Sequence, residues 1–256
     1  MDFVEFVSKQ ICTKTTQLSQ RSVVFSKLNW EGYNKESIST QSNKVSNFMI
    51  KSIEPTVVFV FPGQGPQFNK MGIELYEKEL DFRNSMDEKN EIFKSLYGYS
   101  VFDKLRSIKD DDKTLIDLPS FGQPAMVMIE ISLFKLLKNH WNIQPSFIVG
   151  HSLGEVAASF CSGMIDLETC CKIVYVRSTL QDSLVGFGKM LSVTITKEEY
   201  NKNYLSQFPS LGIACFNSNN SIVISGNEQD LIKLSNQLKS NSKPNLFLGA
   251  NVSYHS

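Results

Sequence analysis

Neither sign of charge dominates this chain. Lysine and arginine number 26, as do aspartate and glutamate, so the 256 residues carry no formal net charge. Broad binding to nucleic acid or to an acidic membrane surface needs a cationic field, and this balance argues against both. No apolar run approaches the roughly 20 residues of a membrane span. The start, Met1-Asp2-Phe3-Val4-Glu5, is acidic and lacks the cationic and apolar regions of a secretory signal. Histidine is scarce: His140, His151 and His255 are the three. The five cysteines (Cys12, Cys161, Cys170, Cys171, Cys215) show no Cys-x-x-Cys spacing, and no His/Cys cluster reads as a metal site. An odd count of thiols suits a reducing compartment, so a cytoplasmic protein without metal or bound cofactor is expected. Cys161 and Cys170 read as small core residues.

Hydrophobic residues make up 41% of the chain, enough for a sizeable core in one large domain or a large and a small one. Residues 1–54 differ from the rest. They are rich in Lys, Thr, Gln, Asn and Ser and lack a core of their own, although Phe3, Phe6, Val7 and Ile11 leave room for a helix or two. The segment reads as a linker or adaptor. From Thr56 to Phe61 a β-branched and aromatic run predicts a strand buried on both faces, stopped by Pro62-Gly63-Gln64-Gly65-Pro66. Helices are expected over 67–77 and 79–95, then an irregular stretch over 96–119 with a solvated Asp110-Asp111-Asp112. Gln123-Pro124 opens a long helix with Val127, Ile131, Phe134 and Leu137 at helical spacing. A strand at 146–149 and helices near 153–162 and 166–184 follow. The alternation implies a parallel α/β sheet over 55–188. From Lys189 onward the order is strand, helix, two strands, helix, strand. This βαββαβ pattern over 189–256 predicts a small ferredoxin-like subdomain beside the large α/β-hydrolase-like one.

Within this frame, Gly150-His151-Ser152-Leu153-Gly154 directly follows the apolar Phe147-Ile148-Val149. A buried strand followed by Gly-x-Ser-x-Gly reads as a nucleophile elbow, in which a sharp strand-to-helix turn lifts the serine hydroxyl to the end of a sheet. Ser152 would then head a helix, where the Leu153 N–H can stabilise an oxyanion. That layout suits acyl transfer through a serine ester. An ordinary strand-to-helix turn punctuated by glycine has the same spacing. His151 reads as structural or as polar lining beside the serine.

The motifs together resemble the malonyl-CoA:acyl-carrier-protein acyltransferase family, and specifically the acyltransferase domain of a polyketide synthase. Phe61-Pro62-Gly63-Gln64-Gly65 resembles the family's FPGQG loop, Gln123-Pro124-Ala125 its QPA helix start, and Gly150 to Glu155 its GHSxGE elbow. Arg177 falls where the family keeps a substrate-binding arginine. Asn217 to Gly226 resembles a segment running from an Asn to a Ser-Gly, and Val252 to Ser256 resembles the motif that carries the catalytic histidine. The likeness covers about residues 55–256. Residues 1–54 resemble the linker that joins a ketosynthase domain to such an acyltransferase.

The resemblance implies roles. Ser152 is the nucleophile and His255 its base, a group whose near-neutral pKa suits taking a proton and returning it. Taken by position, His255 is a terminal histidine and no more. The backbone N–H groups of Gln64 and Leu153 form the oxyanion hole. Arg177 pairs with the free carboxylate of a malonyl group, a task for a planar guanidinium that stays charged when buried; a surface arginine on a helix is the plainer reading. Asn217 lines the site, and an Asn-rich turn accounts for it equally well. The substrate is an acyl-CoA, the coenzyme A thioester entering as substrate and not as bound cofactor, and the acceptor is an acyl carrier protein. A ketosynthase domain is a further implied partner. Leu153 after the serine resembles the malonyl-type pattern, whereas Val252-Ser253-Tyr254 matches neither common specificity motif, so malonyl is preferred over methylmalonyl.

In the family the chain continues past the histidine. The expectation is therefore a slice of a synthase that lacks the residue orienting the base and leaves apolar sheet and helix surface uncovered. Two other readings stand beside the acyltransferase: a catalytically silent fragment, and a serine hydrolase such as a thioesterase. Against the hydrolase stand Arg177, the Phe61–Gly65 loop and the lack of an obvious acidic triad partner.

Overall fold

Strand β1 (Val58–Phe61) alternates valine and phenylalanine, residues that suit a pleated backbone. In this computed structural model, which describes residues 56–109, 112, 114–249 and 251–255, β1 pairs in parallel with β2 (Phe147–Gly150). The register runs from Val58↔Phe147 to Phe61↔Gly150. A parallel pair needs a long crossover, and here helices supply it. They are α1 (Ile73–Lys78), α2 (Leu80–Tyr97), α3 (Val101–Ser107), α4 (Thr114–Asp117) and α5 (Pro119–Lys135), the last running on into a π-helical turn at Leu136–His140. After β2 come α6 (Leu153–Cys161) and α7 (Leu167–Asp182). The expected linker at 1–54, with Cys12, lies outside the described residues, as do Asp110, Asp111 and Ser256.

Several expectations are corrected. The helix expected over 67–77 begins only at Ile73, because Lys70 (φ 59°) and Gly72 (φ 77°) take left-handed backbone that a right-handed helix cannot contain. The stretch 96–119 is not irregular: it holds α3, α4 and the start of α5. Ser100 caps α3 by accepting from the Asp103 N–H at 3.0 Å. Helix α5 starts at Pro119, four residues before Gln123, since proline suits the first helical position. Pro124 therefore lies inside the helix and has no N–H for the Ser120 carbonyl; the Tyr99 hydroxyl donates to that carbonyl at 3.3 Å. The parallel pair is buried on one face only. Phe59, Phe61 and Ile148 pack into the core, while Val58, Val60, Phe147 and Val149 are 46–67% exposed.

The second sheet holds β3 (Lys189–Val193), β4 (Leu211–Ser218), β5 (Ser221–Gly226) and β6 (Asn245–Phe247) in the order β4-β5-β3-β6, with every pair antiparallel. With α8 (Lys197–Asn203) after β3 and α9 (Glu228–Ser240) after β5, this is the ferredoxin-like arrangement. Each helix is capped by a side chain, Thr196 accepting from Glu199 N and Asn227 from Gln229 N and Asp230 N.

Two apolar clusters hold the elements. One gathers Phe61, Phe82, Met128, Ile131, Leu153 and Val174 around the parallel pair; the other gathers Leu191, Val193, Tyr200, Ile224 and Leu234 under the antiparallel sheet. Cys161, Cys170 and Cys171 belong to the first cluster as free thiols, and burial pushes each up to about 12, so they stay protonated. No helix among the described residues is long and apolar enough to cross a membrane.

Candidate active site

The site begins where β2 turns into α6. Ser152 sits between them with φ 53° and ψ −112°, a strained backbone for a residue with a side chain. The turn is tight enough that neither flanking glycine tolerates a β-carbon. One on Gly154 would run into the Phe61 and Pro62 carbonyls, and one on Gly150 into the Gly154 and Glu155 backbone. Leu153 is fully buried, and its side chain anchors α6 in the core. Gly154 and Glu155 donate to His151 O (2.9 Å) and Ser152 O (3.1 Å), while the Leu153 N–H heads the helix, where no intrahelical acceptor exists. The loop after β1 lies against the same turn. A β-carbon on Gly63 would stand 2.9 Å from His151 O and 3.3 Å from Ser152 Cβ, which brings Gln64 beside the serine.

Ser152 Oγ lies 2.9 Å from His255 Nε2 and accepts from Arg177 Nη2 at 2.8 Å. Arg177, on α7, is fixed from behind: its Nη1 donates to Gln123 Oε1 at 2.7 Å and to Gln181 Oε1 at 3.2 Å. Gln123 is fully buried. Its Nε2 donates to Gln64 Oε1 (3.0 Å) and to Gln181 Oε1 (2.6 Å). The Tyr254 hydroxyl donates to Gln64 Oε1 at 3.1 Å. A cavity of about 390 Å³ opens over this cluster, and Gln64, Ser152, Arg177, Asn217 and His255 all line it.

Electrostatics favour a neutral imidazole. Burial, then the Arg177 charge, then His151 lower the His255 pKa from its ordinary 6.5, against a smaller opposing effect of Glu155. An unprotonated Nε2 can accept the serine proton, and the Arg177 N–H, which can only donate, leaves that proton for it. Burial also lowers the Arg177 pKa from its ordinary 12.5, so high a start that the guanidinium remains a cation. Burial pushes the Tyr254 phenol up to about 12, and it stays a neutral donor. Among the described residues, Ser152 is the one hydrogen-bonding partner of His255. No group of His, Cys, Asp and Glu among the described residues could hold a metal ion.

The structure thus brings together Ser152, His255, Arg177 and Gln64, with the Leu153 N–H at the head of α6. Asn217 is placed at the cavity rim, exposed, with its Oδ1 3.6 Å from Cys215 Sγ. His151 is exposed and lines the cavity, and its backbone N–H donates to Phe61 O at 3.0 Å. Sequence reasoning missed the supporting amides Gln123 and Gln181 and the Tyr254 hydroxyl. Gln123 carried a signal, being a polar residue at the head of an otherwise apolar helical stretch. Gln181 carried none beyond its place one turn after Arg177.

A mixed α/β core with a glycine-flanked elbow and a serine shared by an imidazole and a guanidinium is an arrangement that suits acyl chemistry. Residues 58–256 match the family model described as the acyl transferase domain, and the chain belongs to that family. Among its relatives is "Probable polyketide synthase 22" of Dictyostelium discoideum, 48% identical over 261 residues that take in 100% of this chain and 10% of the relative. The chain spans about a tenth of the length of the curated relatives it matches. The loading acyltransferase of the avermectin modular polyketide synthase has a similar structure, with TM-score 0.71 and 31% identity over 78% of this chain and 63% of that one. So has the malonyl CoA-acyl carrier protein transacylase of Burkholderia pseudomallei, with TM-score 0.66 and 25% identity over 78% of this chain and 66% of that one.

Proposed function

We propose that this chain moves a malonyl or related carboxyacyl group from coenzyme A, through an ester on Ser152, to the phosphopantetheine thiol of an acyl carrier protein in polyketide assembly. The observation that carries the reading is the convergence of His255 and Arg177 on the Ser152 hydroxyl, at 2.9 and 2.8 Å.

Ser152 Oγ attacks the thioester carbonyl as its proton passes to His255 Nε2. The carbonyl oxygen takes the negative charge, which the N–H groups of Leu153 and Gln64 stabilise. The tetrahedral intermediate collapses, the carbon–sulfur bond breaks, and coenzyme A leaves as a thiol with the proton from His255. In the second half the carrier thiol gives its proton to His255 and attacks the ester, and Ser152 recovers a proton as it leaves. Arg177 holds the distal carboxylate with its fork, a bidentate geometry a lysine cannot reproduce. Asn217 lines the wall of the cavity over the thioester. A ketosynthase is the neighbouring domain in this proposal, with residues 1–54 as the connection. So is the division into a large subdomain at 55–188 and a small one at 189–256, which the two separate apolar clusters support.

The test is the intact mass of the purified chain after brief incubation with malonyl-CoA, beside a Ser152→Ala control. A malonyl-sized increment absent from the control is expected. A second reading, a folded but catalytically silent module, draws on His255 having Ser152 as its one hydrogen-bonding partner among the described residues. It predicts no increment from a chain that circular dichroism shows to be folded.

A further inference from the structure

The hydrogen bonds around the serine form a closed ring. From Ser152 Oγ the path runs to Arg177 Nη2, from Arg177 Nη1 to Gln123 Oε1, and from Gln123 Nε2 to Gln64 Oε1. The Tyr254 hydroxyl reaches that same Gln64 oxygen, and one peptide bond further lies His255, whose Nε2 returns to Ser152. Gln64 Nε2 is committed to Asp117 O at 3.2 Å, so its oxygen is the end that serves Gln123 and Tyr254. His255 has a left-handed backbone, φ 59°, which persists only when neighbours hold it. Residues that precede it in the chain are themselves held. Val252 is buried, Ser253 Oγ donates to Phe187 O at 3.0 Å, and Tyr254 holds Gln64.

We propose that Tyr254 is a positioning residue whose hydroxyl, bonded to Gln64, holds the backbone that presents the His255 imidazole to Ser152. The proposal rests on the acyl-transfer reading above. The aromatic ring alone fills the same space; the hydroxyl alone makes the tie. The tie also joins the base to the Gln64 loop and, through Gln123, to Arg177, so the three working parts share one network, which couples changes in any of them.

The test is Tyr254→Phe in the 256-residue chain, which keeps the shape and removes the bond. Acylation of Ser152 at saturating malonyl-CoA should slow about tenfold, which is what one hydrogen bond of ordinary net strength corresponds to. KM should hold, since Arg177 keeps both of its glutamines. Gln64→Met removes the acceptor but not the Gln64 backbone N–H. It should lose as much, and the double variant should lose no more than the worse single one. A second readout needs no turnover: the His255 imidazole titration, followed by NMR, should rise toward an ordinary histidine in Tyr254→Phe as the ring leaves its burial and the Arg177 charge. Wild-type rate with wild-type titration overturns the proposal. So does a loss confined to KM, or losses that add in the double variant. Failure of the acyl-transfer reading looks different: no ester forms even in the wild type, and the titration alone then decides whether Tyr254 positions His255.

Discussion

Replacing Arg177 by methionine should separate malonyl transfer from acetyl transfer. Methionine fills much of the arginine's stem volume and removes the fork. A charge-assisted hydrogen bond contributes about 1.5–3 kcal/mol, and a carboxylate on the fork makes two. Arg177 is only partly buried, so solvent screening favours the low end, about 3 kcal/mol for the pair. That is about a hundredfold in kcat/KM for malonyl-CoA. Acetyl-CoA has no carboxylate to lose. Its transfer should hold within about threefold, or rise, because Ser152 Oγ no longer receives the Arg177 N–H. The substitution also leaves the fully buried Gln123 Oε1 without its donor, at a cost of about 1–3 kcal/mol in stability. The assay is quenched-flow formation of the Ser152 ester, read by intact mass with each thioester, alongside thermal melting. Arg177→Lys keeps the charge without the fork and should fall between, at about a tenfold loss for malonyl. Equal losses for malonyl and acetyl in a variant that remains folded would refute the carboxylate assignment.

The pH dependence follows from His255. Its pKa lies below 6.5 and only the neutral ring accepts the serine proton, so activity survives to lower pH than a free imidazole allows. The acid limb of kcat/KM should fall below 6.5 and move up in Arg177→Met; a limb at or above 6.5 in the wild type contradicts the environment described. On α5, both Glu130 carboxylate oxygens are buried without a hydrogen-bond partner among the described residues, and burial pushes the group up from 4.5 to about 8. Between those values the folded chain binds more protons than the unfolded one. This group's contribution to stability is therefore intact below about 4.5 and is lost as pH rises to about 8, on the order of 5 kcal/mol in all. Urea unfolding of Glu130→Gln at pH 5 and pH 8 should show that loss abolished, and parallel profiles for variant and wild type would count against it.

Much of the fold was legible because its signals are local. Alternating Val and Phe marks β1, glycines mark the elbow, and the βαββαβ order leads to the β4-β5-β3-β6 sheet. The failures have local causes too. Left-handed backbone at Lys70 and Gly72 cut a helix short, and Pro119 began α5 before the Gln123-Pro124 pair that looked like its start. For β1 the apolar composition implied two covered faces, and β2 read as a buried strand. Which faces are covered depends on what packs there, and Val58, Val60, Phe147 and Val149 are exposed. In the site, the elbow and loop motifs and the family resemblance pointed to Ser152, Gln64 and Arg177, whereas the supporting roles of Gln123 and Gln181 went unread because a glutamine's importance lies in which groups its amide meets.

By itself the sequence determined the order of elements, the turn that strains Ser152, and the residue types available for chemistry, since backbone sterics and side-chain periodicity act over a few neighbours. Only the tertiary structure decided that His255, from the far end of the chain, and Arg177, from the middle of a helix, meet on one hydroxyl. That meeting depends on how α7 and the segment after β6 pack against the elbow. A ring of hydrogen bonds through the buried Gln123 and the half-buried Gln64 and Tyr254 holds it, and the cost of taking these polar groups from water is met only when all of them find partners at once.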